Sequence, residues 1–521
     1  MVRSYNDRFE VTWDDPAREQ ESWVHDRLHA PWAMPPLTQA IFERIMTLAF
    51  DVPTVFVNCF GFMRDFGPPN TTPEVEARGP IPIWDEEFEP IVRSGCLTMR
   101  SRDYASMSAQ ELAASLPRYF DETGSAFRYT TIVIFAFLRP TSRLIEFLEE
   151  ELGKEGGALA ARLLQGFDNV TTDGGNALNH LVELASMHAG LSRSLQAGEF
   201  EAIATCEGGP EFLEALRAHN ELYGWRADSW YMAHLPTWAE DETLVMRLIG
   251  RYLADPALAP GAALARSTVL REQAEREVAE KLSPDKHARF QELLEASIDH
   301  VAISEDRAYW QLQISGCVRV PVIALGRKLV EMGAIDEAND IFYLSLEEVQ
   351  AAANDPRARN WMAIVRANRA ELARCQKLAP PTFLGQPPSV SKAPPDLQAV
   401  MKHLRGYGVS LSSDLRRVNG VAASKGIAKG TARVIYGLEE AHRLQPGDIL
   451  VCRTTAPPWT SLFSIAGGVV SDAGGLLSHT AICAREYGIP AVVATQVATA
   501  RIPDGATITV DGTSGHVTIE D

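Results

Sequence analysis

From residue 420 onward, short apolar runs alternate with glycine-bearing turns: TARVIYG, GDILVCR, GGVVSD, IPAVVAT, ATITVDG and HVTIED. Runs of this length, rich in Val and Ile and closed by Gly or Asp, predict strands. Helical spacing interrupts them near Thr480–Tyr487 and again near Leu438–Leu444. The pattern over 420–521 predicts a compact α/β domain of ordinary size. Upstream the period lengthens. Ser283 and Pro284 read as an N-cap and a first-turn proline, followed by Phe290, Leu293, Leu294, Ile298 and Val301 at helical spacing. Arg319–Met332 predicts a second helix stopped by Gly333, and Phe212, Leu216 and Tyr223 mark a third ended by Gly224. The first 150 residues are less regular, and VPTVFVNCFGF (52–62) reads as strands.

Between these textures lies LAPPTFLGQPPSVSKAPP (378–395), proline-rich and poor in helix formers, which predicts an extended, semi-rigid tether. The expected organisation is multidomain α+β. It comprises a large, mostly helical domain over 1–377, a tether and lead-in over 378–419, and a small C-terminal α/β domain over 420–521. No internal repeat is visible.

At 521 residues the chain exceeds a single core. The net charge of −19 argues against a nucleic-acid binder, because neutralising phosphates needs an excess of Lys and Arg. The most apolar run, TTIVIFAFL (130–138), is too short to cross a bilayer and predicts a buried element. No apolar signal segment opens the sequence. The seven cysteines are scattered without a CxxC pair, which fits reduced thiols in a cytoplasm and indicates no metal site.

The chemistry concentrates in GGLLSHTAICAREYGIPAVV (474–493). A buried strand leads into Gly474 and Gly475, and a helix begins at Ser478 and His479. First-turn amides lack intrahelical acceptors and carry partial positive charge, so a helix start holds phosphate groups well. That setting discourages imidazole protonation and favours a nucleophilic nitrogen. A phosphoryl group taken up by His479 would lie against free N–H groups, which is nucleophilic catalysis through phosphohistidine. The plainer reading of the residues alone is a histidine that caps or packs.

This stretch closely resembles the phosphohistidine signature of the PEP-utilising enzyme mobile domain, found in pyruvate phosphate dikinase, phosphoenolpyruvate synthase and rifampin phosphotransferase. GVAASKGIAKGTARVI (420–435), PGDILVCRTTAPPWTSLFSIAGGVVSDAGG (446–475) and IPDGATITVDGTSGHVTI (502–519) extend the similarity over essentially all of 420–521. The resemblance implies a swivelling domain with His479 as phosphoryl carrier. It places Thr454 and Thr455 near that histidine, and Ser478 with the Gly474 and Gly475 amides on the phosphoryl oxygens. Arg485 and Glu486 match the family's Ala-Arg-Glu; as bare residues they read as an exposed helical pair. Leu477 stands where pyruvate phosphate dikinase has its regulatory threonine, so that control is not implied here.

WVHDRLHAPWAMPPL (23–37), LLQGFDNVTTDGGNAL (163–178), LYGWRADSW (222–230), HLPTWAEDETLV (234–245) and LGRKLVEMGAIDEANDIFYLSLEEV (325–349) resemble the segment preceding the mobile domain in rifampin phosphotransferase. They also resemble the phenylphosphate-synthase type of split dikinase. In those relatives the segment binds an aromatic or polyketide hydroxyl compound. Trp225 departs from the histidine frequent at that position. Trp13, Trp23, Trp32, Phe56, Phe60, Phe62 and Trp84 suit either an aromatic-lined pocket or plain core. Phosphoryl transfer needs cations, for which Arg226, Arg307 and Arg319 are candidates. A hydroxyl acceptor needs a base, for which His25, His29, Glu305 and Asp306 are candidates.

Neither a P-loop nor an ATP-grasp pattern is recognisable in 1–378. The expectation is therefore the phosphohistidine and acceptor-binding subunit of an ATP-dependent dikinase. It would phosphorylate a phenolic hydroxyl after a separate ATP-grasp subunit has charged His479. ATP and Mg2+ belong mainly to that partner, and no tightly bound cofactor or metal is expected in this chain. Nucleic acid and membrane are not expected partners, and the expected location is cytoplasmic. Two alternatives stand beside it: a rifamycin-type antibiotic phosphotransferase component, and a non-catalytic phosphocarrier or regulatory protein.

Overall fold

The computed structural model describes the chain apart from residues 1, 7–8, 65–72, 168–169, 226–229, 257–258, 388–397, 399–401, 404–408, 410–411, 457–458 and 521. The chain forms two compact units, one of residues 1–135, 229–236 and 310–393, the other of 136–228, 237–309 and 394–521. The multidomain α+β architecture expected from the sequence is what the structure has. Among the described residues, no helix is long and apolar enough to cross a membrane.

In the first unit, β1 (Val2–Asn6) and β2 (Phe9–Thr12) pair antiparallel. A second sheet runs in the order β4 (Thr54–Val57), β5 (Phe60–Arg64), β3 (Ser22–His25) and β6 (Phe383–Gly385), antiparallel throughout. The run at 52–62 thus forms the predicted strands, joined at Asn58 and Cys59. Both residues have positive φ, 49° and 64°, the twist a two-residue hairpin demands. Trp23, Phe60 and Phe62 are buried in one cluster with Phe9, Val55 and Leu384, with Trp13 packed against it. These aromatics of the sheet are core. The start of the stretch read as a tether differs from the expectation. Phe383–Gly385 is ladder-paired to β3 and Leu384 is fully buried, because its apolar side chain completes this core. Most of the remaining tether lies outside the described residues. Helix Pro36–Phe50 packs along helix Ala109–Ile132, which opens with a Ser108–Glu111 capping box.

The second unit joins a set of helices to the small sheet domain. Helices Lys154–Leu163, Val170–Ser186, Ala189–Ala197, Gly209–Tyr223, Thr243–Ala254 and Pro260–Lys281 surround two apolar clusters. Helix Pro284–Cys317 begins at the predicted proline. Its Phe290, Leu293 and Leu294 are buried, and Ile298 and Val301 lie beside the same cluster.

The C-terminal strands are β7 (Arg417–Asn419), β8 (Val421–Ser424), β9 (Ile427–Val434), β10 (Ile449–Cys452), β11 (Gly468–Ser471), β12 (Ala491–Val493), β13 (Thr507–Asp511) and β14 (His516–Ile519). They form one mixed sheet in the order β7-β14-β13-β9-β10-β11-β12-β8. The neighbours from β9 to β12 are parallel. All residues of β10, β11 and β12 are buried, as strands covered on both faces must be. The edge strands β7 and β8 are consecutive in the chain, separated by Gly420 alone, so the sheet curls until its edges meet. A side chain at Gly420 would strike Val492 and the Val493 carbonyl at 2.5 Å.

Candidate functional site

The strand β11 delivers the chain to the turn that precedes His479. Asp472 fixes its exit, accepting from Thr495 Oγ1 at 3.3 Å, Thr499 N at 3.1 Å and the Thr499 hydroxyl. Gly474 then turns with φ +111°, and a Cβ there would lie 2.6 Å from Ser478 Oγ. Only glycine lets the chain fold back so closely on the coming helix. Ser478 is the N-cap of helix His479–Glu486: its Oγ accepts from Ala481 N at 3.4 Å and donates to the Gly475 carbonyl at 2.8 Å. The Ser478 hydroxyl is thus engaged in holding the helix start.

His479 is the first residue of that helix and is half-buried. Thr460 Oγ1 lies 3.3 Å from its Nε2. Cys483, one turn further along, sets Sγ 3.3 Å from Nε2 and 3.6 Å from Nδ1. Phe463 meets the ring edge-on at 6.5 Å. Burial pushes the Cys483 thiol well up, so it flanks the imidazole as a neutral group. Thr455 Oγ1 lies 2.9 Å from Thr480 Oγ1, which ties the end of β10 to the first turn of the helix. The Thr454 hydroxyl is buried with no hydrogen-bond partner among the described residues. Of the residues expected around the phosphoryl group, Gly474, Gly475, Ser478 and Thr455 therefore converge on the start of this helix.

The helix docks on the helical part of its own unit. Leu477 packs against the cluster of Leu144, Leu148, Leu293 and Leu294. Its amide donates to the His403 carbonyl at 3.0 Å, and His403 Nδ1 lies 3.4 Å from Ser142 Oγ. Ser267 Oγ donates to the Glu486 carbonyl at 3.2 Å. Arg485 and Glu486 are consequently no exposed pair. Arg485 is buried and donates to the carbonyls of Ala423 (3.2 Å) and Leu476 (3.0 Å), and burial lowers its guanidinium to about 10. Burial, then the Glu305 carboxylate, raises Glu486 to about 7. Glu305 stands one helical turn beyond Val301, on the side that carries Leu477. Asp306 follows on that helix, half-buried, and Arg307 is buried there.

The other candidates fall in the first unit. His29 Nδ1 lies 2.9 Å from Asp26 Oδ2, while Asp26 Oδ1 accepts from the amides of Leu28 and His29 at 3.1 and 3.2 Å. The ring of His29 meets Trp230 edge-on at 5.2 Å. Arg319 is buried, donates to the Ala233 carbonyl at 3.0 Å and lies 5.3 Å over the Phe342 ring. The buried segment Trp230–His234 thereby carries contacts to both His29 and Arg319. His234 completes it, 3.3 Å from Thr38 Oγ1; burial and then Arg319 lower it to about 3, so its ring is neutral. His25 has a different environment. Buried between Phe60 and Phe62, with Nδ1 3.0 Å from the Gly61 carbonyl, it braces the hairpin and is removed from the candidate bases. Arg226 lies outside the described residues.

Sequence reasoning missed four of these neighbours. Asp26 had a signal, standing three residues before His29, and so did Cys483, four after His479 on the same helix. Thr460 and Trp230 reach their histidines only through the fold.

Residues 444–515, which include His479, match the PEP-utilising enzyme mobile domain. Residues 129–305 match the fourth domain of rifampicin phosphotransferase. The chain is 29% identical to the chondramide synthase of Chondromyces crocatus over 98% of its own length and 14% of that protein. It is 28% identical to the rifampicin phosphotransferase of Streptomyces sviceus over 83% of its length and 50% of that protein. It is 30% identical to the uncharacterized phosphotransferase YvkC of Bacillus subtilis over 61% of its length and 38% of that protein. The chain spans half or less of the length of these relatives. The expected resemblance to mobile-domain and rifampicin-phosphotransferase proteins is therefore shown.

Proposed function

We propose that this relative of the rifampicin phosphotransferases, carrying a PEP-utilising mobile domain, is the phosphohistidine and acceptor-binding component of an ATP-dependent phosphotransferase. The observation that carries this reading is His479 as the first residue of a capped helix, half-exposed, with first-turn amides beside it and Thr460 at Nε2. A ring nitrogen attacks phosphorus and the bond to the leaving oxygen breaks. The dianionic phosphoryl group then sits at the helix start, where the macrodipole places partial positive charge. Charging uses ATP, water and Mg2+ on a separate ATP-grasp subunit, which releases AMP and phosphate as His479 takes up one phosphoryl group.

In the second step the acceptor oxygen attacks phosphorus, the P–N bond breaks, and the hydroxyl proton goes to a base. His29 suits that role, because Asp26 holds its Nδ1 and the ring stands edge-on to Trp230. The acceptor we propose is an aromatic hydroxyl compound, seated beside Trp230 and reached by movement of the 420–521 domain. A rifamycin is the second reading, favoured by the relatives' names. A simple phenol is the smaller member of the same chemical class.

The test begins with phosphoramidate, a small phosphoryl donor that needs no partner. We expect an acid-labile phosphoryl group on the His479 peptide, absent in His479→Asn. Charged protein is then offered phenols and rifamycins, and the phosphorylated product identifies the class. Supplying an ATP-grasp protein with ATP should release about one equivalent of AMP per His479 on charging, and further AMP only as an acceptor turns over. A folded protein that takes phosphate elsewhere, or a His479→Asn variant that still phosphorylates an acceptor, would sink the reading.

A further inference from the structure

Two cysteine pairs lie in the first unit, and they contrast. Cys96 and Cys317 are both buried, and their mutual contact and burial push the Cys96 thiol well up. Such thiols are inert. Cys59 and Cys375 are placed otherwise. Cys59 sits at the left-handed second position of the β4–β5 turn and is half-exposed. Cys375 is in the last turn of helix Trp361–Gln376. Their sulfurs and a Glu371 carboxylate oxygen lie within 4.8 Å of one another.

Arg374 organises this corner. Its Nη2 donates to Asn58 Oδ1 at 3.0 Å, Glu371 Oε1 at 2.6 Å and Cys375 Sγ at 3.5 Å. The guanidinium therefore ties the hairpin tip to the helix and supplies positive charge beside both sulfurs. The Cys375 thiol faces Glu371 Oε1 at 3.4 Å. The hydrogen bond from Cys375 holds the Cys59 thiol below its ordinary value against burial and the Glu371 carboxylate, with a smaller lowering from Arg374. The same contact drives Cys375 up. The two sulfurs therefore differ, Cys59 the more easily ionised and Cys375 the more firmly protonated, the asymmetry of an attacking and a resolving cysteine.

We propose that Cys59 and Cys375 are a peroxide-oxidisable dithiol, a modification site that links the β4–β5 hairpin to helix Trp361–Gln376. The Cys59 thiolate attacks hydrogen peroxide, the O–O bond breaks and hydroxide leaves, giving a sulfenic acid. That hydroxide takes the Cys375 proton as water, and the Cys375 sulfur attacks the sulfenyl sulfur. The S–S bond forms, the S–O bond breaks, and the departing hydroxide takes the proton that Cys59 released on ionising, giving the second water. Two thiols and one peroxide yield one disulfide and two waters. A divalent cation on the same three side chains would have to displace Arg374 from Glu371 and Cys375, which is why oxidation is the better fit.

The test uses the full chain, reduced and then exposed to about one equivalent of hydrogen peroxide. Peptide mapping should show a single Cys59–Cys375 bridge, reversed by a thiol reductant, with Cys96 and Cys317 still alkylatable. The bridge should raise the unfolding midpoint by several degrees. Cys59→Ser should abolish it, and Cys375→Ser should leave a sulfenic acid at Cys59 that dimedone traps. The proposal is overturned if both thiols stay alkylatable after peroxide, or if Cys96–Cys317 bridges as readily. It is equally overturned if one equivalent of zinc survives dialysis and protects the pair.

Discussion

Substituting Gly474→Ala tests whether the turn before His479 sets the histidine. At φ +111° an alanine is in a region that L-residues rarely adopt, and its Cβ would lie 2.6 Å from Ser478 Oγ and 3.0 Å from Ser478 Cβ. The backbone strain costs about 1–3 kcal/mol. Pushing Ser478 Oγ aside removes the N-cap bond to Ala481, about 1 kcal/mol more. We expect a loss of roughly 2–4 kcal/mol in denaturant unfolding of the small domain. The imidazole moves with its helix start, so charging by phosphoramidate should slow by about 10- to 100-fold. Ser478→Ala alone should cost about 1 kcal/mol. The double variant should fall short of the sum by about 0.5–1 kcal/mol, because the Oγ that collides with the new Cβ is gone. A Gly474→Ala protein that unfolds and charges like the parent would refute the claim that this turn positions the nucleophile.

Asp26→Asn should lower acceptor phosphorylation about 10-fold or more by loosening His29, while His479 charging stays at the parent rate. Equal loss in both half-reactions would mean a folding defect. Docking of helix His479–Glu486 should weaken with rising pH. Glu486 is raised from 4.5 to about 7 by burial and Glu305, with Arg485 opposing, so the docked state holds a proton the undocked state releases. Its stabilisation is complete below about pH 4.5 and is lost as pH climbs through about 7. Amide exchange over 477–487, corrected for intrinsic rate, should show that trend in the parent and lose it in Glu486→Gln; an unchanged trend in the variant assigns it to another group.

Much of the small domain was legible in the sequence, because its determinants act over a few residues. The strands of 420–521 follow from short Val- and Ile-rich runs and their glycine stops. The start of the His479 helix follows from Ser478 as cap and Gly474 as turn. Helices at 209–223, 284–317 and 319–331 begin or end near the proline and glycine signals that predict them. What periodicity could not reach is which side chains become neighbours and how much water each keeps. His25 and His29 are four residues apart, yet one is locked between Phe60 and Phe62 and the other is aimed by Asp26. Arg485 and Glu486 read as a solvated pair until the helical cluster around Leu477 covers their helix. Cys59 and Cys375 carry no mark of one another in the chain, and the hairpin and helix that join them are separated by most of the first unit. Burial and proximity are properties of the packed core, summed over contacts between distant segments, and so the tertiary structure alone assigns these residues their chemistry.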